Sequence, residues 1–157
     1  MIKKISFAIA TLFGAGFFPV SAGTFGSFAS FVFIVPIAYF YGFSGLLIFS
    51  VISFILGLLA VRKVLHYTEH DPSFIVIDET IGQTVTFFLV SNLLKGSFSG
   101  WYFYILGFAF FRFFDITKPS IIGWVDRKIE NAFGVICDDI LAGITSSLCL
   151  YLIQLIF

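Results

Sequence analysis

The chain has 157 residues, of which 59% are hydrophobic and only 11% are charged, and its mean hydropathy is +1.06. A soluble domain is usually about half apolar and about a quarter charged, so this composition excludes a water-soluble globule and predicts an integral membrane protein. The length fits a single domain, residues 1–157. The net charge is zero and the short basic patches lie beside acidic ones, which gives no indication of a nucleic-acid partner.

The N-terminal apolar segment has two interpretations. Lys3 and Lys4 precede an apolar run that ends near Val20, and Val20-Ser21-Ala22 resembles a signal-peptidase site. Alternatively, residues 5–18 form a short amphipathic or re-entrant helix at the membrane interface, and Pro19 suits a turn after it. The sequence does not decide whether residues 5–18 cross the bilayer.

The remaining apolar segments are long enough to cross a membrane, since about 20 helical residues span roughly 30 Å of hydrocarbon. In chain order the candidate spans are residues 24–40, 46–64, 78–94, 100–114 and 138–157. A break is predicted at residues 41–45, and a tight turn at residues 95–97. We therefore predict an all-α, polytopic membrane protein with about five transmembrane helices and short interfacial helices.

Two polar stretches, residues 62–79 and 112–139, separate these spans. In the second stretch, apolar residues recur at helical spacing and predict an amphipathic surface helix, with Trp124 as its interfacial anchor. The apolar positions are Ile121, Ile122, Val125, Ile129 and Phe133.

Counting spans places nearly all basic residues on one face. With five spans, only Lys95 falls on the opposite face, and every Asp and Glu shares the basic face. The positive-inside rule makes that face cytoplasmic.

Several carboxylates stand at the predicted helix ends, against apolar sequence. Asp78 and Glu79 open the third span, Asp138 and Asp139 open the fifth, and Asp115 closes the fourth. Helix capping explains one acid at a helix start, but a carboxylate at a helix C-terminus opposes the dipole. Ionisable residues at membrane depth usually mark function, so we interpret the set as a site.

The gathered acids predict a divalent cation, because carboxylate oxygens suit Mg²⁺ or Mn²⁺ and the cation relieves their mutual repulsion. Arg112, Lys118 and Arg127 lie among the acids and are suited to hold phosphate. Pairing with the acids or with lipid headgroups is their alternative role.

The segment Gly23-Thr24-Phe25-Gly26-Ser27 precedes the first span. Its glycines could expose backbone N–H groups to a phosphate, and Thr24 and Ser27 could bind that phosphate or cap the helix. Both roles stay open on sequence alone.

Nitrogen and sulfur ligands are sparse. His66 and His70 stand four residues apart, but no third nitrogen or sulfur ligand accompanies them. His70-Asp71-Pro72 more simply predicts a helix end, although Asp71 could join the site. Cys137 and Cys149 lie in or near apolar runs and are interpreted as buried small apolar residues.

Three blocks of this sequence resemble the phosphatidylglycerophosphatase A family. The first is Gly23–Ser27, and the second runs from His70-Asp71 through Asp78-Glu79 to Gly82-Gln83. The third runs from Phe111 to Pro119, through Asp126-Arg127, to Gly134–Gly143. One departure is Asn131-Ala132, where the family often has a glycine pair.

This resemblance implies an all-helical enzyme of the bacterial cytoplasmic membrane that hydrolyses phosphatidylglycerol phosphate to phosphatidylglycerol and phosphate with Mg²⁺. The expected metal ligands are Asp78, Glu79, Asp115, Asp138 and Asp139, and the expected phosphate-binding residues are Thr24, Ser27, Arg112 and Lys118. The expected catalytic residues are Asp71, Glu79, Asp115 and Lys118, with Asp71 or Glu79 positioning the attacking water. An aspartyl-phosphate intermediate stays an alternative, and the oligomeric state is left open.

Three rival functions predict sequence patterns that differ from this one. A small ion or metal transporter would place acids at mid-span, whereas these acids stand at span ends. An alcohol phosphatidyltransferase would carry an extended D-G…A-R…G…D…D signature, which this sequence lacks. A non-enzymatic membrane subunit would have no reason to cluster acids with Arg112 and Lys118.

Overall fold

The computed structural model describes residues 2–68 and 72–156, and every regular element within these ranges is helical. The all-α prediction is confirmed. A 3-10 turn, Ala15–Phe17, follows the first helix. The α-helices are α1 Ile2–Ala10, α2 Ala22–Ala29, α3 Phe31–Leu65, α4 Ile77–Val85, α5 Ser91–Leu94, α6 Trp101–Thr117, α7 Ile121–Lys128 and α8 Ala132–Ile156.

The long helix α3 reverses direction at Gly42. This residue has φ 59° and ψ −140°, a combination that a side chain would strain. The rings of Phe33 and Phe49 then stack with centroids 5.9 Å apart, so the two halves of α3 lie side by side. The break predicted at residues 41–45 is confirmed.

Two segments of the described chain are long and apolar enough to cross a membrane. They are Ala22–Leu65, which contains the reversal, and Ala132–Ile156. The protein is therefore membrane-associated. By helix length and hydropathy, however, these two segments of the described chain qualify as spans, not the five continuous helices that were predicted. Helix α6 has 17 residues, and residues 78–94 do not form one helix.

Hydroxyl groups interrupt the segment predicted as the third span. The Thr84 hydroxyl donates to the Thr80 carbonyl at 2.7 Å, and the Thr86 hydroxyl donates to the Gly82 carbonyl at 3.1 Å. Such back-bonding bends helices. The Leu89 N–H donates to Ser147 Oγ at 3.2 Å on another helix, so residues 86–90 form turns between α4 and α5.

Helix α8 begins earlier than the sequence predicts. Asn131 Oδ1 accepts the N–H groups of Phe133 at 2.9 Å and Gly134 at 3.1 Å, which makes Asn131 an N-cap. Asp138 and Asp139 therefore lie in the second turn of α8 rather than opening it. The surface helix predicted over residues 121–133 is shorter for the same reason, because α7 ends at Lys128 and Phe133 belongs to α8.

The N-terminal segment also differs from its prediction. Gly23–Ser27 lies within α2 and is not a loop, and Ser21 occupies the N-cap position instead of Thr24 or Ser27. Helix α1 ends at Ala10, which is fully buried and whose carbonyl accepts the Val76 N–H at 2.9 Å. Residues 5–18 thus pack against the start of α4.

Helix α4 lies at the centre of the bundle and crosses α8 at glycines. A Cβ on Gly143 would meet the Gly82 carbonyl oxygen at 2.3 Å, and a Cβ on Gly82 would meet the Asp139 carbonyl oxygen at 2.5 Å. Small residues permit such close backbone approach in membrane helices. Asp139 and the pair Asp78-Glu79 each lie about one turn before this crossing, so the crossing brings them together.

We expect Gly143→Ala to destabilise the fold, because its Cβ must push α8 away from the α4 backbone. Overpacking of this kind costs about 1–3 kcal/mol. Thermal unfolding of purified protein in detergent measures the effect. Gly100→Ala is the matched control, since its Cβ would meet nothing nearer than 3.5 Å. Equal stability of the two variants would contradict the close crossing.

Candidate active site

A polar cavity of about 300 Å³ opens at the end of the bundle where α4 and α8 begin and α6 ends. Charged side chains dominate its wall, and they come from elements far apart in the sequence. The lining residues are Gly23, Pro72, Ser73, Ile75, Asp78, Glu79, Arg112, Asp115, Lys118, Asp126, Ile129, Glu130, Gly134, Val135, Asp138 and Asp139.

Three carboxylates in this cavity form a cluster that could hold a metal ion. One oxygen from each of Asp78, Glu79 and Asp139 lies within 4.8 Å of the others. Asp78 and Asp139 are 8% and 4% exposed. Glu79 Oε2 is buried and has no hydrogen-bond partner among the described residues. Buried like charges with an unused oxygen suit a cation, because isolated buried carboxylates are expensive.

Local structure explains how the first two acids reach the cluster. Asp78 and Glu79 stand in the first turn of α4, as predicted, where the helix dipole favours negative charge. The Glu79 N–H donates to Asp78 Oδ1 at 3.1 Å, which satisfies one free donor of that turn. Asp139 arrives from α8 through the glycine crossing.

The other two predicted metal ligands lie in the same cavity but contact basic residues. Asp115 in the last turn of α6 accepts a hydrogen bond from Arg112 Nη1. Asp138 Oδ2 accepts one from Lys118 Nζ at 2.7 Å. The five predicted acids thus separate into a three-carboxylate cluster and two carboxylates that accept hydrogen bonds from basic side chains.

Arg112 joins the carboxylates to helix α2. Besides Asp115, its Nη1 lies 3.9 Å from Glu79 Oε1 and donates to Ser27 Oγ at 3.3 Å. The Arg112 side chain is only 14% exposed. Ser27 therefore borders the site through Arg112, and its hydroxyl also donates to the Gly23 carbonyl at 2.8 Å.

Lys118 connects three helices at the edge of the cavity. It follows α6 in the left-handed conformation, with φ 43°, and its Nζ donates to Asp126 of α7 and to Asp138 of α8. Burial lowers the pKa of Lys118, but the hydrogen bonds to these two carboxylates outweigh it and raise the pKa above its ordinary value. The ammonium group stays charged at neutral pH.

The remaining predicted residues lie elsewhere. Thr24 borders a neighbouring cavity, together with Phe25 and Phe108. His66 follows the end of α3 and lines a separate groove. His70 and Asp71 lie outside the described residues.

Sequence reasoning missed two contributors. A Cβ on Gly23 would lie 2.2 Å from Glu79 Oε1, so this glycine makes space for the carboxylate rather than exposing backbone N–H groups. Asp126 is not among the predicted site residues, yet it accepts a hydrogen bond from Lys118 Nζ. Its position in the resembling block Asp126-Arg127 was the available signal.

The chain is similar to known proteins over most of its length. The family described as phosphatidylglycerophosphatase A matches residues 8–154. A Haemophilus influenzae protein named phosphatidylglycerophosphatase A is 35% identical, over 98% of this chain and 94% of its own. An Escherichia coli protein of the same name is 33% identical, over 92% of this chain and 81% of its own.

A third relative carries a different name. A Bacteroides thetaiotaomicron protein named putative phosphatidylinositol-3-phosphatase is 33% identical, over 92% of both chains. No solved structure matches the chain. The extent of the family match and the two relatives of the same name show that the chain belongs to the phosphatidylglycerophosphatase A family.

Proposed function

We propose that this protein hydrolyses phosphatidylglycerol phosphate to phosphatidylglycerol and inorganic phosphate. The buried cluster of Asp78, Glu79 and Asp139 beside Arg112 carries the proposal, since it joins a cation site to a phosphate ligand in one cavity. The names of the family and of two relatives supply the lipid. The rival transporter function has no support, because the acids lie at one end of the bundle.

The cluster fits a hard divalent cation, and Mg²⁺ is the ion we propose. Asp78, Glu79 and Asp139 would hold it through oxygen atoms only, which is the ligand type that Mg²⁺ prefers. When bound, the cation supplies charge stabilisation of the phosphoryl oxygens and a more acidic water. Asp115 and Asp138 would act on the cation at most through water, because each is bound to a basic side chain.

Arg112 is the proposed phosphate ligand. Its planar guanidinium group offers several donors and suits a phosphate dianion. Asp115 and Ser27 fix its orientation. We propose that Glu79 positions the attacking water through Oε2, which has no hydrogen-bond partner among the described residues. Lys118 adds positive charge at the rim and joins α6 to α7 and α8.

The proposed location is the bacterial cytoplasmic membrane, with several crossings and the cavity on the cytoplasmic face. Gly42 lies against Lys95, and the Gly96 N–H donates to the Tyr39 carbonyl at 2.8 Å, so these two bends lie at one end of the bundle. The polar cavity lies at the opposite end. The limbs of α3, the α4–α5 segment, α6 and α8 then account for the five predicted crossings, and the positive-inside rule orients them.

The proposed reaction is tested by phosphate release from phosphatidylglycerol phosphate in detergent micelles. We expect turnover with Mg²⁺, loss with EDTA and recovery on adding Mg²⁺ back. Phosphatidylinositol 3-phosphate is the comparison substrate, because one relative is named for it. A higher kcat/KM for the inositol lipid would replace the proposed substrate, and EDTA-insensitive turnover would remove the cation from the proposal.

We expect Asp139→Asn to lower kcat by at least about 100-fold, beyond the range for loss of an outer-shell partner of a metal. The amide keeps the shape but removes the charge that completes the carboxylate cluster. Glu130→Gln is the control, because Glu130 is an exposed residue of the same cavity and should retain most of the activity. Near-normal turnover of Asp139→Asn would contradict the assignment of this cluster as the cation site.

We expect Gly23→Ala to weaken metal binding while the protein stays folded. The added Cβ would collide with Glu79 Oε1, so the carboxylate must move. The Mg²⁺ concentration for half-maximal activity should rise by about 10-fold or more, as for other losses of ligand orientation. Gly100→Ala should leave it unchanged, and an unchanged value for Gly23→Ala would show that the carboxylate moves freely.

A further inference from the structure

An apolar groove lies directly beside the polar cavity, on the face formed by α2, α3 and α6. Its deeper part has a volume of about 340 Å³. Its shallower part lies beside Thr24, and both parts are lined by Phe28 and Phe108. The deeper part is lined by Phe28, Phe31, Val35, Tyr104, Ile105 and Phe108. We call the two parts together the α2–α6 groove.

The α2–α6 groove and the polar cavity adjoin along α2, where Gly23 lines the cavity and Thr24 lines the groove. Arg112 Nη1 donates to Ser27 Oγ at 3.3 Å. Ser27 precedes Phe28 of the groove, and Phe108 of the groove lies one helical turn before Arg112 on α6. Arg112, the proposed phosphate ligand, and Ser27, which orients it, therefore lie where the groove adjoins the cavity.

The groove points away from the charged end, into the apolar part of the bundle. Residues 104 and 105 lie about two turns below Arg112, and Val35 lies deeper than Thr24 along α2 and α3. From Thr24 to Val35 the helices extend about 16 Å. One leaflet is about 15 Å deep, which is half of the roughly 30 Å hydrocarbon core.

Aromatic rings in mutual contact form much of the groove wall. The Phe28 and Phe108 rings meet edge to face, with centroids 6.5 Å apart. The centroid of the Phe31 ring lies 6.1 Å from that of the Phe108 ring and 6.0 Å from that of the Tyr104 ring. Aromatic pairs favour edge-to-face contacts of this kind. A flexible hydrocarbon that enters this groove therefore meets a wall that is already formed.

We propose that the α2–α6 groove binds one acyl chain of the lipid whose phosphate group occupies the polar cavity. This inference rests on the proposed function, which supplies a phosphomonoester with acyl chains. The groove then helps to determine which substrates are accepted: it adds affinity for long chains, and it draws the headgroup to Arg112 from the side of the bilayer.

The first test compares phosphatidylglycerol phosphate that carries 16-carbon acyl chains with the same lipid carrying 6-carbon chains. Ile105→Trp and Val35→Trp fill the groove, and Leu148→Trp places the same bulk on α8, where residue 148 is 51% exposed outside the groove. We expect the groove variants to raise KM for the long-chain substrate by about 10-fold or more, and to leave KM for the short-chain substrate within about twofold. The control should change neither value.

Equal effects on both substrates, or equal effects of the control, would overturn the proposal. Elution of each variant as one species in detergent shows that it is folded. If the wild-type protein releases phosphate from neither substrate, the proposed function fails, and a second measurement then decides the groove separately.

That second measurement uses a phosphatidic acid with a diazirine in its acyl chain, crosslinked by light to the wild-type protein. We expect labelled peptides to concentrate at residues 28–35 and 104–108, and unlabelled dipalmitoyl phosphatidic acid to compete for them. Labelling spread evenly over α8 and the groove, with no competition, would overturn the acyl-chain site.

Discussion

The close crossing of α4 and α8 at Gly82 and Gly143 is the contact on which the site depends. The two backbones approach within the space that a single methyl group would fill. Asp78 and Glu79 stand one turn before the crossing on α4, and Asp139 stands one turn before it on α8. Both helices run away from the polar end, so the same contact that packs the core also gathers the acids. Packing and chemistry are therefore not separable here.

Three buried carboxylates placed close together destabilise the fold unless nearby positive charge compensates their repulsion. Arg112 supplies part of that charge to Glu79, while Lys118 serves Asp138 and Asp126 at the rim. Breaking such a pair leaves an uncompensated charge, which destabilises more than forming the pair stabilises. Activity and stability should consequently respond together when the basic residues are changed, whereas loss of one clustered acid relieves repulsion.

The sequence was sufficient for the helical class, the Gly42 break and the acids at the start of α4, because each depends on local pattern or on Gly and Asp chemistry. It failed where tertiary contacts decide. Helix α4 ends where threonine hydroxyls donate to backbone carbonyls one turn earlier and where Ser147 accepts the Leu89 N–H. In the sequence these hydroxyl residues do not differ from any other polar residue. The cap from Asn131 extended α8, and Gly23 acts through a neighbour distant in sequence. Thr24 and Ser27 look alike in the motif, yet only Ser27 turns toward Arg112.

The bends at Gly42 and Gly96 also have a consequence for biogenesis. Among the described residues between Phe31 and Phe111, Lys95 is the charged residue at the far end of the bundle. In the proposed topology, insertion of these two hairpins therefore translocates one ammonium group. Its passage through the bilayer centre costs roughly 3 kcal/mol, which is small beside the favourable free energy of inserting two apolar helical hairpins. In that proposed topology each hairpin inserts as a unit, and the groups of the candidate site stay on the side of the membrane where the ribosome lies.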